Sequence, residues 1–298
     1  MAKPRDRLKL REALAGYGFM TPAVLILGCF MLIPIGYSIF LAFHKVDLLG
    51  EVSYRFIGTA NFERMADDPR LWIALRNTAK YALVVVPTQT LLALLLASIL
   101  NMNLRFRYFF RAAFYLPTVT SSAVLVLIFM WIYNANGLLN KALDALGLPT
   151  YNWLGDPAVA LTGIMIMNIW STAPLFMVVF LAALQDIPDT LYEAADLDGA
   201  NWWHKFWKIT VPMLRPVTFY VVVMGVIGTF QLFDQSYIFS AGSGGPNNST
   251  LTMVLLIYQY AFSVLDMGYA SAIAFLLAVT IMIATLIQRY VFKEERLG

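Results

Sequence analysis

Charge is scarce in this chain. Only 13% of its 298 residues are Asp, Glu, Lys or Arg, against 60% that are hydrophobic. A soluble domain of that size carries about a quarter charged residues, so a water-soluble globular fold is excluded. Cysteine is reduced to Cys29, inside an apolar run, and no intrachain disulfide can form. With only His44 and His204 beside it, no metal-ligand cluster stands out. Phosphate-binding chemistry is missing too. Gly242-Ser-Gly-Gly-Pro246 is glycine-rich but lacks the Gly-Lys-Ser/Thr ending that cradles phosphates, and it reads as a flexible outer turn. No nucleophile–base pair and no paired carboxylates on an apolar helix face can be recognised. An ion relay through a membrane needs several ionisable groups near the midplane, and Asp234 alone lies deep in an apolar segment. The chain therefore reads as a passage without an energy source of its own.

What it has instead is length of apolar sequence. A bilayer core of ~30 Å takes roughly 20 helical residues to cross. Six segments qualify, at 17–43, 78–100, 114–133, 158–184, 217–240 and 268–292. The fold class is thus all-α, a multi-pass membrane protein of six transmembrane helices. Lys3, Arg5, Arg7, Lys9 and Arg11 precede the first segment as a secretory signal would require. Its apolar run is about twice a signal's core, and no small-x-small cleavage pattern closes it. Residues 1–16 are therefore expected as a tail and 17–298 as one transmembrane domain.

Orientation follows from the bias of Lys and Arg toward the inner side. With the N-terminus inside, the inner segments hold those five, then Arg105, Arg107 and Arg111, then Lys205, Lys208 and Arg215, then Arg289, Lys293 and Arg296. The outer segments hold half as many, Lys45, Arg55, Arg64, Arg70, Arg76, Lys80 and Lys141. Both termini and the segment 185–216 are expected in the cytoplasm. In the outer loop 44–77, Asp68 before Pro69 reads as the cap of a short surface helix through Trp72 and Leu75. Leu138, Leu139, Leu143 and Leu146 predict an amphipathic interfacial helix closed by Gly147. Trp131 and Tyr133 read as part of an aromatic belt.

The polar interruption 185–216 needs something to dock against. Pro188 suits a first helical turn, Asp189 and Thr190 offer capping oxygens, and Gly199 is placed to end the helix. A second short helix is expected with Trp202, Phe206 and Ile209 on one face, broken by Pro212. Thr190-Leu-Tyr-Glu193 also fits a capping box, in which Glu193 returns to its own backbone and needs no partner.

Glu193-Ala194-Ala195, then Gly199, Ile209 and Pro212, resembles the EAA motif of permease subunits of bacterial ATP-binding-cassette importers. Phe56-Ile-Gly, Asn61-Phe62, Leu116-Pro117 and Phe233-Asp-Gln235 followed by Gly244-Gly-Pro246 extend the resemblance over nearly the whole chain, toward the maltose and glycerol-3-phosphate branch. The resemblance implies the permease core of a type I importer in the bacterial inner membrane. It implies a second, different permease, two ATPase subunits that bind the ATP and Mg, and an extracytoplasmic sugar-binding protein. No cofactor and no catalytic activity are expected in this chain. Glu193, Ala194, Ala195, Asp198 and Gly199 would couple to the ATPase.

A sugar path should show polar groups in the middle of apolar spans. Asn168, Ser171 and Thr172 near Pro174 meet that condition, as do Phe230, Gln231 and Asp234 after Gly225 and Gly228, a glycine pair able to kink a helix. Phe230, Gln231 and Asp234 match in spacing the positions that contact sugar in the maltose permease subunit. The acidic Asp234 would disfavour an anionic substrate. Interhelical hydrogen bonding is the competing role for Gln231 and Asp234, and helix packing for Ser171 and Thr172. A di- or oligosaccharide or glycoside is the expected cargo, with a polyol, a glycosylated osmolyte or a glycerol phosphate as alternatives. An ion-coupled transporter and a scaffold without transport are the rivals of other classes.

Overall fold

A computed structural model describes residues 4–47, 51–102 and 105–292. Lys3, Lys293 and Arg296, counted above for orientation, lie outside the described residues. Five helical stretches are long and apolar enough to cross a membrane, and a sharply bent pair makes a sixth if counted as one span. The chain divides into two compact units, 1–66 with 260–275 and 67–259 with 276–298, where a single domain over 17–298 was expected.

In the first unit, α1 (Pro4–Leu27) passes through a π-helical turn at Gly28–Leu32 into α2 (Ile33–Ala42). Helix thus begins at Pro4, and no structural boundary separates a tail from the span at residue 16. The wide turn has a local cause. Pro34 has no N–H to give and its ring crowds the carbonyl four residues back, and the Ile33 N–H bonds Gly28 O five residues behind. Nearly all the apolar side chains of Glu12–Ala42 are exposed, as a lipid-facing helix requires. A short hairpin follows, β1 (His44–Asp47) against β2 (Ser53–Phe56), with Val46 opposite Tyr54. The buried Asn61 of α3 (Ala60–Ala66) donates to Ala42 O at 2.9 Å and so ties α3 to the end of α2. Arg64 pairs with Asp266 at 2.6 Å and lies 4.0 Å from the Tyr269 ring centroid. Partial burial opposes the Arg64 charge, but the Asp266 hydrogen bond and charge outweigh it and hold the pKa above its ordinary value.

The second unit is built on α4 (Pro69–Asn101). Asp68 caps it, its Oδ1 accepting from Arg70 N at 2.9 Å. The short surface helix expected there is instead the first turns of this 33-residue helix, because nothing between Trp72 and Thr78 breaks it. The expected third span is broken: α5 (Arg107–Val119) and α6 (Ser122–Ile132) meet at 98°. Pro117, then Thr118, Thr120 and Ser121, supply a helix breaker and hydroxyls that compete for backbone bonds; Thr120 and Ser121 are extended. Tyr133 is buried, donating to Gly163 O at 2.9 Å, so it belongs to the core and not to an aromatic belt; Trp131 is exposed. The amphipathic helix is present as α7 (Leu138–Ala145), closed by Gly147 at φ +67° with Leu148 N bonded to Leu143 O at 2.9 Å.

Helix α8 (Ala160–Gln185) packs along α4 in the most extensive helix pair of the chain. Ala93 and Ala97, fully buried at a spacing of four, let the backbones close, and Ala173, Met177, Phe180 and Leu184 fill the seam. The polar segment gives α9 (Asp189–Leu197), α10 (Trp202–Lys205), a π-turn at Phe206–Thr210 and α11 (Val211–Met213), and leads into α12 (Arg215–Phe230). Next come α13 (Asp234–Phe239), α14 (Met253–Tyr258), a π-turn at Gln259–Ser263 and α15 (Met267–Phe292). The glycine-rich turn before α14 is pinned, not slack. Asn77 Nδ2 donates to Asn248 O at 2.8 Å and Leu251 O at 3.0 Å, and Thr250 Oγ1 donates to Gly245 O at 2.8 Å. Gly244, at φ +75°, lies where a Cβ would come within 2.9 Å of Leu251, so the glycine is needed for closeness as well as for conformation.

Candidate functional site

Two polar sites sit on the scaffold of α4, α8 and α12, and a third closes the segment between α8 and α12. The first is buried. Thr172 Oγ1 lies 2.7 Å from Gln89 Oε1 and 2.8 Å from Asn168 O, two acceptors for one hydroxyl proton. Gln89, on α4, is 2% exposed, and Asn168 is also buried. A Cβ on Gly225 of α12 would fall 2.7 Å from Gln89 Nε2, so this glycine makes the room in which α12 approaches the amide. Ser171 Oγ bonds back to Asn168 O at 3.1 Å, within its own helix. The structure thus brings Asn168 and Thr172 together around a residue the sequence reading passed over. The signal for Gln89 was there, in the polar run Pro87-Thr-Gln-Thr90 inside an apolar helix.

The second site is open. Helix α12 is continuous through Gly225 and Gly228, and its break follows Phe230. Gln231, Leu232 and Phe233 then separate it from α13. Phe230 and Leu232 are buried, and Thr252 Oγ1 anchors the interruption by donating to Leu232 O at 2.8 Å. Gln231 and Asp234 are exposed, and among the described residues neither side chain has a hydrogen bond or ion pair. Beside Asp234, the Phe233, Tyr237 and Tyr258 rings meet at 5.2–5.3 Å. This aromatic cluster also escaped the sequence reading, because Tyr258 arrives from α14, which no apolar span announced.

The third site is α9. Pro188 is its N-cap with no side-chain cap, and Thr190 lies one residue inside the helix. No capping box forms. Glu193 is exposed and makes no hydrogen bond or ion pair among the described residues; Ala194, Asp198 and Gly199 are also exposed and Ala195 is half-buried. Gly199, at φ +73°, ends the helix as expected, with Ala200 N bonded to Ala195 O at 2.9 Å. The opposite side is braced: Tyr192 Oη and Thr210 Oγ1 are 2.9 Å apart, and Lys205 Nζ lies 2.7 Å from Asp196 Oδ1. Tyr192 and Ile209 pack against the core that holds Leu184, Ile187 and Leu214. Trp202 and Phe206 stack as expected, but Ile209 does not share their face. The π-turn has rotated it inward, and its cause is the one seen before Pro34: Val211 N bonds Phe206 O five residues back, immediately before Pro212.

The family described as binding-protein-dependent transport system inner membrane component matches residues 89–296, well over half of the chain. The chain belongs to that family. This permease is 36% identical over 296 residues to the lactose transport system permease protein of Rhizobium radiobacter, covering 98% of each chain. It is 36% identical to the arabinooligosaccharides transport system permease protein of Bacillus subtilis, over 95% of this chain and 90% of the relative. The trehalose/maltose transport system permease protein of Thermococcus litoralis is 32% identical over 98% of both chains. The crystal structure of a bacterial ABC transporter for import of the acidic polysaccharide alginate contains a chain with a TM-score of 0.81 at 21% identity, covering 98% of this chain and 99% of that one. At that identity the likeness establishes the fold. The permease is a multi-pass inner-membrane protein with the architecture of an ABC-importer permease.

Proposed function

We propose that this permease forms, with a second and different permease, the path by which an ATP-driven importer brings a di- or oligosaccharide or glycoside into the cell. An extracytoplasmic binding protein delivers the sugar, and two separate ATPase subunits bind ATP and Mg. The observation that carries this reading is α9: an exposed helix with a free glutamate, small residues beside it, and a braced rear face. A free carboxylate on a rigid support is suited to an ion pair with a basic residue of the ATPase, and the brace passes its movement to α8 and α12. The full-length likeness to permeases named for lactose, arabinooligosaccharides and trehalose/maltose supports the substrate class. Gln231 and Asp234, unpaired beside buried Phe230 and the Phe233–Tyr237–Tyr258 cluster, are the groups assigned to the sugar path, whereas Asn168, Ser171 and Thr172, bonded among themselves and to Gln89, are assigned to helix packing. The bias of Lys and Arg supports cytoplasmic termini and a cytoplasmic α9.

Uptake into proteoliposomes holding the whole complex tests the reading. Uptake should require ATP and survive a protonophore at constant ATP; collapse under the protonophore would establish an ion-coupled transporter instead. Competition among neutral disaccharides, acidic sugars, polyols and glycerol phosphate then fixes the cargo. Glu193→Ala should weaken co-purification of the ATPase or uncouple hydrolysis from uptake, and unchanged behaviour in both assays would remove Glu193 from the coupling contact.

A further inference from the structure

Two stretches of the second unit combine exposed aromatic rings with basic side chains and contain no acid at all. Residues 105–119 hold Arg105, Arg107 and Arg111, and residues 199–215 hold Lys205, Lys208 and Arg215; neither contains Asp or Glu. Phe106, Tyr108 and Phe109 around the start of α5 are largely exposed, and so are Trp202, Trp203 and Trp207. Three of the seven Trp residues therefore lie within six positions. The rings carry a basic fringe: the Arg105 guanidinium lies 5.7 Å from the Phe106 centroid, and Arg107 donates to Tyr108 Oη at 3.1 Å. Lys208 has no ion pair among the described residues, whereas Lys205 is held by Asp196. Each stretch abuts an apolar helix, the first following α4 and the second running into α12.

The neighbouring α9 has the opposite character. From Asp186 to Asp198 the chain carries Asp186, Asp189, Glu193, Asp196 and Asp198 with no Lys or Arg. A basic protein partner fits α9 and would be poorly served by the adjoining basic and aromatic stretch. Indole and phenol rings favour the boundary between hydrocarbon and headgroups, and basic side chains beside them are attracted to anionic lipid. We propose that these two stretches seat in the headgroup layer of the cytoplasmic leaflet and bind anionic phospholipid. The rings insert beside the acyl chains, and Arg105, Arg107 and Lys208 meet the phosphates. Coupling through α9 would then depend on lipid, because the second stretch joins α9 to α12. This inference rests on the orientation given under Proposed function.

The assembled transporter in nanodiscs tests it, with phosphatidylcholine alone or mixed with phosphatidylglycerol. Native mass spectrometry should find phosphatidylglycerol retained, and each of Arg105→Gln, Arg107→Gln and Lys208→Gln should cut that retention by about fivefold. Arg105→Lys should keep it. Brominated lipid should quench Trp fluorescence more in the unaltered complex than in a variant with Trp202→Phe, Trp203→Phe and Trp207→Phe. Equal quenching in the two, together with retention blind to the three charges, overturns the inference. So does an emission shift of these tryptophans on removal of the ATPase without any response to brominated lipid, which would give the surface to the ATPase. If ATP-driven uptake itself is absent while lipid retention holds, the functional reading fails and the lipid site stands.

Discussion

The trio of buried Gln89 and Asn168 with half-buried Thr172, and the exposed pair Gln231 and Asp234, are polar groups placed within apolar segments, yet they have been treated in opposite ways. In the trio, the Thr172 hydroxyl lies within reach of an amide oxygen on α4 and a carbonyl on its own helix. In the pair, no side-chain bond is made among the described residues. Water is absent from hydrocarbon, so a polar group there must be satisfied by protein or face a wet cavity. In the trio the Thr172 hydroxyl and the Gln89 oxygen meet the first condition and link α8 to α4. The pair is exposed and has no such partner among the described residues, which is why it was proposed for the path. Polarity within a span therefore does not by itself mark a path, and the proposed path rests on polarity left unsatisfied.

Breaking the trio at its tightest point should have the largest effect. Gly225→Leu places a side chain where even a Cβ meets Gln89 Nε2 at 2.7 Å and a Val86 methyl at 3.4 Å. Overpacking of this kind costs roughly 1–3 kcal/mol, and here it should separate α12 from α4. The expected outcome is loss of a monodisperse complex on size exclusion, and a complex of normal thermal stability would show that the helices can slide apart without harm. Asp234→Ala should do the reverse, lowering uptake about tenfold or more while assembly and melting temperature stay as they were. A tenfold loss corresponds to ~1.4 kcal/mol, the scale of one hydrogen bond to a charged group. If only assembly suffers, Asp234 belongs with the trio as a packing residue and the contrast between the two sites dissolves.

Most of the fold was legible because span length and helix punctuation are local properties. The six apolar segments, the Asp68 cap, the Gly147 and Gly199 helix ends and α7 all follow from a few neighbouring residues. What escaped depends on pieces far apart in sequence. Tyr133 looks like a belt residue until Gly163 supplies its acceptor, and the run holding Gln89 has no evident role until α8 arrives with Thr172. The two π-turns before Pro34 and Pro212 had a readable cause, but which way the helix would relieve the proline did not show in the pattern. The capping box failed for a similar reason: Pro188 takes the cap position, which leaves Thr190 inside the helix and Glu193 unbound.

The smallest expected effect is also the sharpest test of what the trio is for. Thr172→Val keeps the shape of the side chain and removes its hydroxyl, leaving Gln89 Oε1 without that donor. Interhelical hydrogen bonds in membranes average only ~0.6 kcal/mol, so stability should fall by about that amount. Gln89→Met, which removes the amide and keeps the length, should cost a similar ~0.6 kcal/mol. The double variant should cost less than the two together, because both single changes break one shared contact. Uptake per folded complex should be unchanged throughout. Additive losses of stability would mean that the 2.7 Å contact contributes nothing. A fall in uptake at constant stability would move Thr172 out of the packing trio and into the path beside Gln231 and Asp234.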